Sequence, residues 1–188
     1  MDIAEHRART FVGIFAVTAT LGFFLYGKFS AADRLVSLDE GIREAALLEV
    51  PGMGAPERAR LAGAVARALK DRDPRVRYRA AAALGALGPA AAGAAPDLLA
   101  LIGDDALDSG VGAAAAAAYA GIAPDPLPGL LETLLAGSPE ARRNAACAMA
   151  SLGAGARGAR HALKPAAAGG DKVLADCAAR ALSAAGSD

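Results

Sequence analysis

At 188 residues, with 20 Lys plus Arg against 20 Asp plus Glu, the chain is neutral and lacks the basic field that a nucleic-acid binder needs. Apolar residues make up 54% of it while aromatics make up 4%, with no Trp, so its core must come from Ala, Leu and Val. That length suits one domain of ordinary size with an appendage, and that composition calls for helices packed close together.

In chain order, the first feature is an uncharged run at residues 11–27, Phe-Val-Gly-Ile-Phe-Ala-Val-Thr-Ala-Thr-Leu-Gly-Phe-Phe-Leu-Tyr-Gly, with Arg7 and Arg9 before it and Lys28 after it. At about 1.5 Å per residue it spans roughly 26 Å, near bilayer thickness once its flanks are counted, so the run predicts a single transmembrane helix. Phe11, Ile14, Phe15, Leu21, Phe23, Phe24, Leu25 and Tyr26 are its anchoring side chains, with Tyr26 and Lys28 at the interface. Small residues four apart, Ala16 with Thr20 and Thr18 with Gly22, would let a second membrane helix approach closely. A plain lipid-facing anchor is the alternative.

Two other readings of the segment stay open. Ser30-Ala31-Ala32 offers the small-x-small pattern of a secretory cleavage site, although seventeen apolar residues are long for a signal peptide. A buried core helix is the other, and four Phe in one uncharged helix contrast with the Ala-rich remainder. The flanking charges nearly cancel, Arg7 and Arg9 against Lys28, Arg34 and Arg43. A short charged tail favours a cytoplasmic amino end and an exported bulk. The expected division is therefore a tail and membrane helix at 1–32 and a helical domain at 33–188.

Residues 33–50 carry Leu35, Leu38, Ile42, Ala45, Ala46 and Leu48 at a spacing near 3.6, which predicts one amphipathic helix ended by Pro51-Gly52. A second helix is expected over 57–70, with Leu61, Ala64, Val65, Ala68 and Leu69 on one stripe. Together they form a divergent first pair.

From Asp73 onward the sequence repeats. Shifting residues 73–101 by 65 positions lays Pro74, Arg77, Ala80, Ala81, Leu87 and Gly88 on Pro139, Arg142, Ala145, Ala146, Leu152 and Gly153, and further copies start near Asp108 and Asp171. Each unit begins with a residue able to cap, continues as an Ala-rich helix, breaks, and resumes as a shorter helix. The first helices should start near Asp73, Asp108, Ser138 and Asp171. The second should cover 96–102, 127–135 and 159–168. Such pairs bury their apolar stripes only by stacking, so the expected fold is an all-α solenoid of antiparallel helix pairs. Val76, Leu84 and Leu87, with their equivalents, supply the large core side chains.

Cys147 and Cys177 lie 30 residues apart with no Cys-x-x-Cys pair and no ligand-spaced His, so neither a metal site nor any cofactor is implied. In the repeat register they match Ala82 and Arg79, about a helical turn apart. A disulfide looks awkward there, and two free thiols lean toward a reducing compartment.

Asp73-Pro74, Val76-Arg77, Ala80-Ala81, Ala83-Leu84-Gly85 and Leu87-Gly88 resemble the bacterial HEAT-like repeat, the type also called phycobilisome-lyase-like. The resemblance is strong over 71–103, moderate over 138–168, and covers nothing before about residue 33. It implies a ladder between adjacent repeats built from an Asp at the start of the first helix and an Arg four residues on. Asp73 and Arg77 carry both members, Arg142 keeps only the Arg, and Asp108 and Asp171 keep only the Asp. Together with the apolar segment at 11–27, a bacterial inner membrane is the expected setting, and the family's name-giving members leave a chromophore-lyase-like enzyme or chaperone as an alternative.

His6 and His161 are the only histidines, and neither has a nucleophile or acid at a telling spacing. No phosphate-binding loop is present, and the carboxylate pairs Asp39-Glu40 and Asp104-Asp105 are explained by capping and solvation. The Arg72, Arg75, Arg77, Arg79 cluster, with Arg142 and Arg143, is a solvated face or a contact for anionic lipid or a partner. Asp97, Glu132, Thr133, Arg160, His161 and Lys164 on the second helices form the expected partner-binding face. The expectation is a non-catalytic, membrane-anchored scaffold or accessory subunit, with the bilayer and one or more protein subunits as partners and no nucleic acid. A soluble exported adaptor, cut after Ala32, is the alternative.

Overall fold

In the computed structural model the described residues are 29–104 and 110–186. The expected anchor at 11–27, its small-residue pairs and Asp108 lie outside them.

Ten α-helices follow one another among the described residues, without a strand. They are α1 (Ala31–Leu35), α2 (Glu40–Glu49), α3 (Ala55–Ala68), α4 (Pro74–Leu87), α5 (Ala95–Leu101), α6 (Val111–Ile122), α7 (Leu127–Ala136), α8 (Pro139–Ser151), α9 (Arg160–Ala167) and α10 (Lys172–Ala184). Short 3-10 segments at Val50–Gly52, Gly88–Ala94 and Gly153–Ala159 join some of them.

The starts and stops have local causes. The side chains of Asp73, Ser138 and Asp171 accept from backbone N–H groups in the first turns of α4, α8 and α10, and Pro74 and Pro139 occupy positions where a missing N–H costs nothing. Gly88, Gly153 and Gly186 stand fifteen residues after those three caps, and all have positive φ, at 62°, 55° and 81°. A side chain is strained there, so the helix end is written into these three units. The third unit puts Ala123 in this place, with extended backbone, and the chain passes through Pro124 and Pro126 into α7 without a 3-10 segment.

Helices α2, α4, α6, α8 and α10 pack in series as one row, while α3, α5, α7 and α9 cover them as a second. Val76, Leu84, Leu98, Ile102, Leu130, Leu134, Met149 and Leu163 are fully buried between the rows, and Ala80, Ala81, Ala115, Ala145, Ala146, Ala178 and Ala181 set the close helix contacts. Each large side chain contributes about 1.5–3 kcal/mol by leaving water. Among the described residues the stretch Pro74–Leu101 is long and apolar enough to cross a bilayer, with mean hydropathy 1.3. It is nonetheless divided at Gly88 into α4, a 3-10 segment and α5, and much of its apolar surface faces the interior.

Three expectations are corrected. The single helix over 33–50 is two helices, because Ser30 and Asp33 form a reciprocal capping box on α1 and Asp39 caps α2 through Ile42 N–H. Ala31 and Leu35, the two ends of α1, are both buried. The third first-row helix starts at Val111 after Gly110, whose φ is 70°, and the Gly112 N–H donates to the Asp104 carbonyl at 3.2 Å.

The third correction concerns the cysteines. Cys147 on α8 and Cys177 on α10 are joined in a disulfide with their Cα atoms 4.7 Å apart. The repeat register places them a turn apart, but that offset presumes neighbouring helices stacked level. The Ala-lined faces of α8 and α10 let the backbones approach until the two residues meet. Closing a 30-residue loop restricts the unfolded chain by about 3–4 kcal/mol. The lean toward a reducing compartment falls with it.

Candidate functional site

An arginine ladder runs along the first-row helices; of the expected members it includes Arg77 and Asp171, with other partners, while Asp73 and Arg142 bond elsewhere. Arg43 holds Asp71 through two hydrogen bonds of 2.7 and 2.9 Å, Arg77 holds Asp104 at 2.8 Å, and Arg143 holds Asp171 at 2.8 Å. Each arginine thus reaches an acid 27 or 28 positions on, at the start of the next unit. Asp73 pairs instead with Arg75 at 2.9 Å, and Arg142 donates through Nε to the Leu134 carbonyl at 3.1 Å. The side chain at 142 follows the groove between α7 and α8, which leaves position 143 facing the acid. Asn144 on α8, buried, donates through Nδ2 to the Ile102 carbonyl at the end of α5, 2.9 Å away.

These contacts displace the carboxyl equilibria. Burial pushes Asp71 up, but the Arg43 guanidinium and the Asp73 backbone N–H outweigh it and hold the acid below its ordinary range. The Leu174 backbone N–H and then Arg143 hold Asp171 low in the same way. The arginine cluster is largely spent inside the chain: Arg75 on Asp73, Arg77 on Asp104, and Arg79 on Glu44 at 3.2 Å.

The side chains expected to form the partner face are distributed over three second-row helices. Asp97 on α5 pairs with Lys70 at 2.9 Å. On α7, Glu132 is exposed, while Thr133 turns its hydroxyl to the Gly129 carbonyl at 2.8 Å. On α9, His161 and Lys164 are exposed, and Arg160 donates to the Gly186 carbonyl.

A groove of about 360 Å³ opens beside these positions, where the second-row helices α7 and α9 meet the first turns of α8 and α10. Leu134 and Leu135 come from α7, Pro139 and Arg142 from α8, Ala162, Pro165 and Ala166 from α9, and Asp171 and Leu174 from the start of α10, with Gly169 and Gly170 closing one end. Leu134 and Leu174 are buried, whereas Leu135 is 63% exposed. Arg142 is exposed, and its Nε is satisfied within the fold. Asp171 is already engaged by Arg143, so the unneutralised charge lining this groove is positive.

The groove draws on α7 and α9, as the expected face does, but its lining of Leu135, Pro139 and Leu174 is not among the residues expected from the sequence. The Leu134-Leu135 pair just ahead of Gly137 and the Ser138-Pro139 helix start was the available signal. No cluster of three or more His, Cys, Asp or Glu that could hold a metal occurs among the described residues. With Leu134, Leu135 and Leu174 beside Arg142, the groove offers both apolar and cationic contact.

No protein-family model and no curated protein matches this sequence. Its fold is similar to that of an engineered protein of known crystal structure, with 24% identity, a TM-score of 0.56, and coverage of 82% of this chain and 77% of the other. A designed armadillo repeat protein shares 21% identity at a TM-score of 0.52, covering 82% of this chain and 80% of the other. A computationally designed armadillo repeat protein for modular peptide recognition shares 20% identity, also at 0.52 and over the same shares. The fold is that of a helical repeat protein.

Proposed function

We propose that this chain is a non-catalytic interaction module, a HEAT-like solenoid tethered to a membrane by residues 11–27 and serving as a scaffold or accessory subunit of a membrane complex. The observation that carries the reading is the open groove at Leu135 and Arg142, built where second-row helices meet the first row. Its occupant is a protein segment presenting an apolar side chain next to a carboxylate: the side chain covers Leu135 and Leu134, and the carboxylate meets Arg142. Stacked repeats commonly bind through such extended surfaces. One neighbour of similar fold was designed to recognise peptides, which is in keeping with this use.

The Cys147–Cys177 disulfide supports an exported, periplasm-like setting for the repeats, with the amino end in the cytoplasm. Release as a soluble adaptor is the second reading. Cleavage after Ala32 would remove the Ser30 cap and the buried Ala31 from α1, which favours retention of the anchor.

Extraction of the full chain in mild detergents, followed by mass spectrometry of co-purifying chains, tests the proposal. The expected result is a reproducible membrane-protein partner that is lost from Leu135→Asp and Arg142→Glu variants of unchanged helicity. A lone monomer in every detergent, or a partner held equally by both variants, would overturn it. A mass short by the first 32 residues would establish release.

A further inference from the structure

We infer that the Cys147–Cys177 bond is an exchange-competent disulfide, and that Arg180 makes it so. Cys177 is buried at 2% exposure, whereas Cys147 is half-buried, so a thiolate arriving from solvent meets the sulfur of Cys147. Arg180, one turn beyond Cys177 on α10, points Nη2 at the Cys177 sulfur from 2.9 Å and lies 3.9 Å from that of Cys147. Arg180 takes part in none of the ion pairs of the described residues. A guanidinium gains little from the neutral sulfur of a disulfide and much from a thiolate, to which it gives a charge-assisted hydrogen bond. It therefore favours the state in which Cys177 has left as an anion.

The co-reactant is a dithiol. Its first sulfur, as thiolate, attacks the Cys147 sulfur; a mixed disulfide forms there, the Cys147–Cys177 bond breaks, and Cys177 departs as a thiolate held by Arg180. The second donor sulfur, also as thiolate, then attacks the first. The donor becomes a disulfide, and Cys147 leaves as a thiolate that takes a proton from water. Two electrons have passed from the dithiol to the protein.

The consequence reaches the groove, because the bond ties together α8 and α10, which supply Pro139 and Arg142 on one wall and Asp171 and Leu174 on the other. That coupling rests on the groove being the binding site, as proposed above; the exchange chemistry does not.

The test uses the full chain in detergent with dithiothreitol as the probe, free thiols being counted by maleimide mass-tagging over time. Native protein should be reduced at a rate that does not change with urea below the unfolding transition. Arg180→Gln should slow reduction by about threefold or more, since a poorer leaving thiolate departs more slowly, and Arg180→Lys should restore much of the rate. In Cys177→Ser, Cys147 should form a mixed disulfide with an added aromatic disulfide while the protein stays folded by circular dichroism. Reduction that accelerates with urea in step with unfolding, or an Arg180→Gln rate equal to wild type, would overturn the inference. These rates do not depend on whether any partner is captured, so failure of the binding proposal leaves a distinct signature.

Discussion

Leu84 and Leu152 look alike in the sequence, each a leucine on the repeated first-row helix, and the structure separates them. Leu84 is fully buried, while Leu152 is only half-buried at the end of α8; Met149, 65 positions after Leu84, takes the buried place. Leu84→Ala should cost about 2–5 kcal/mol in urea unfolding, because Ala-rich neighbours cannot close the cavity. Leu152→Ala should cost about half as much or less. Gly112 is a residue whose importance the sequence hid, as it sits in a helix of alanines. A Cβ there would lie 2.5 Å from the Ile102 carbonyl oxygen and 2.7 Å from Asn144 Nδ2. Gly112→Ala should therefore break the buried Asn144 bond and lower stability by about 1–3 kcal/mol in urea unfolding, close to the loss expected for Asn144→Ala.

At the scale of elements, the caps were legible because capping is local: Asp73, Ser138 and Asp171 each precede a helix they bond to. The acid partners of the ladder were not, because a reach of 27 or 28 residues depends on where the next unit docks. The ladder has a pH signature. Asp71 and Asp171 have folded values depressed below the ordinary 3.8, so their contribution is complete above that range and is lost as pH falls through the depressed values. Stability by urea midpoint should thus hold from neutrality to about pH 5 and then decline with acid. Asp71→Asn should lower stability by about 1–3 kcal/mol at neutral pH and make the acid decline shallower. An acid limb identical to wild type would show that Asp71 contributes nothing.

For the whole molecule, deletion of residues 1–28 should leave a soluble, helical fragment that melts cooperatively, because α1 and its Ser30 capping box remain. Deletion through residue 32 should lower the melting temperature by several degrees, through loss of the cap and of buried Ala31, as thermal circular dichroism can measure. By itself the sequence determined the helical repeat, its unit boundaries at Asp73, Ser138 and Asp171, and the alanine-lined core, since caps, glycine stops and a 3.6-residue stripe are local properties of a chain. Only the tertiary structure decided which arginine meets which acid, that Cys147 meets Cys177, and that Leu135, Arg142 and Leu174 share one groove. Those depend on the offset and distance between stacked helices, which close alanine packing sets and a one-dimensional register does not contain.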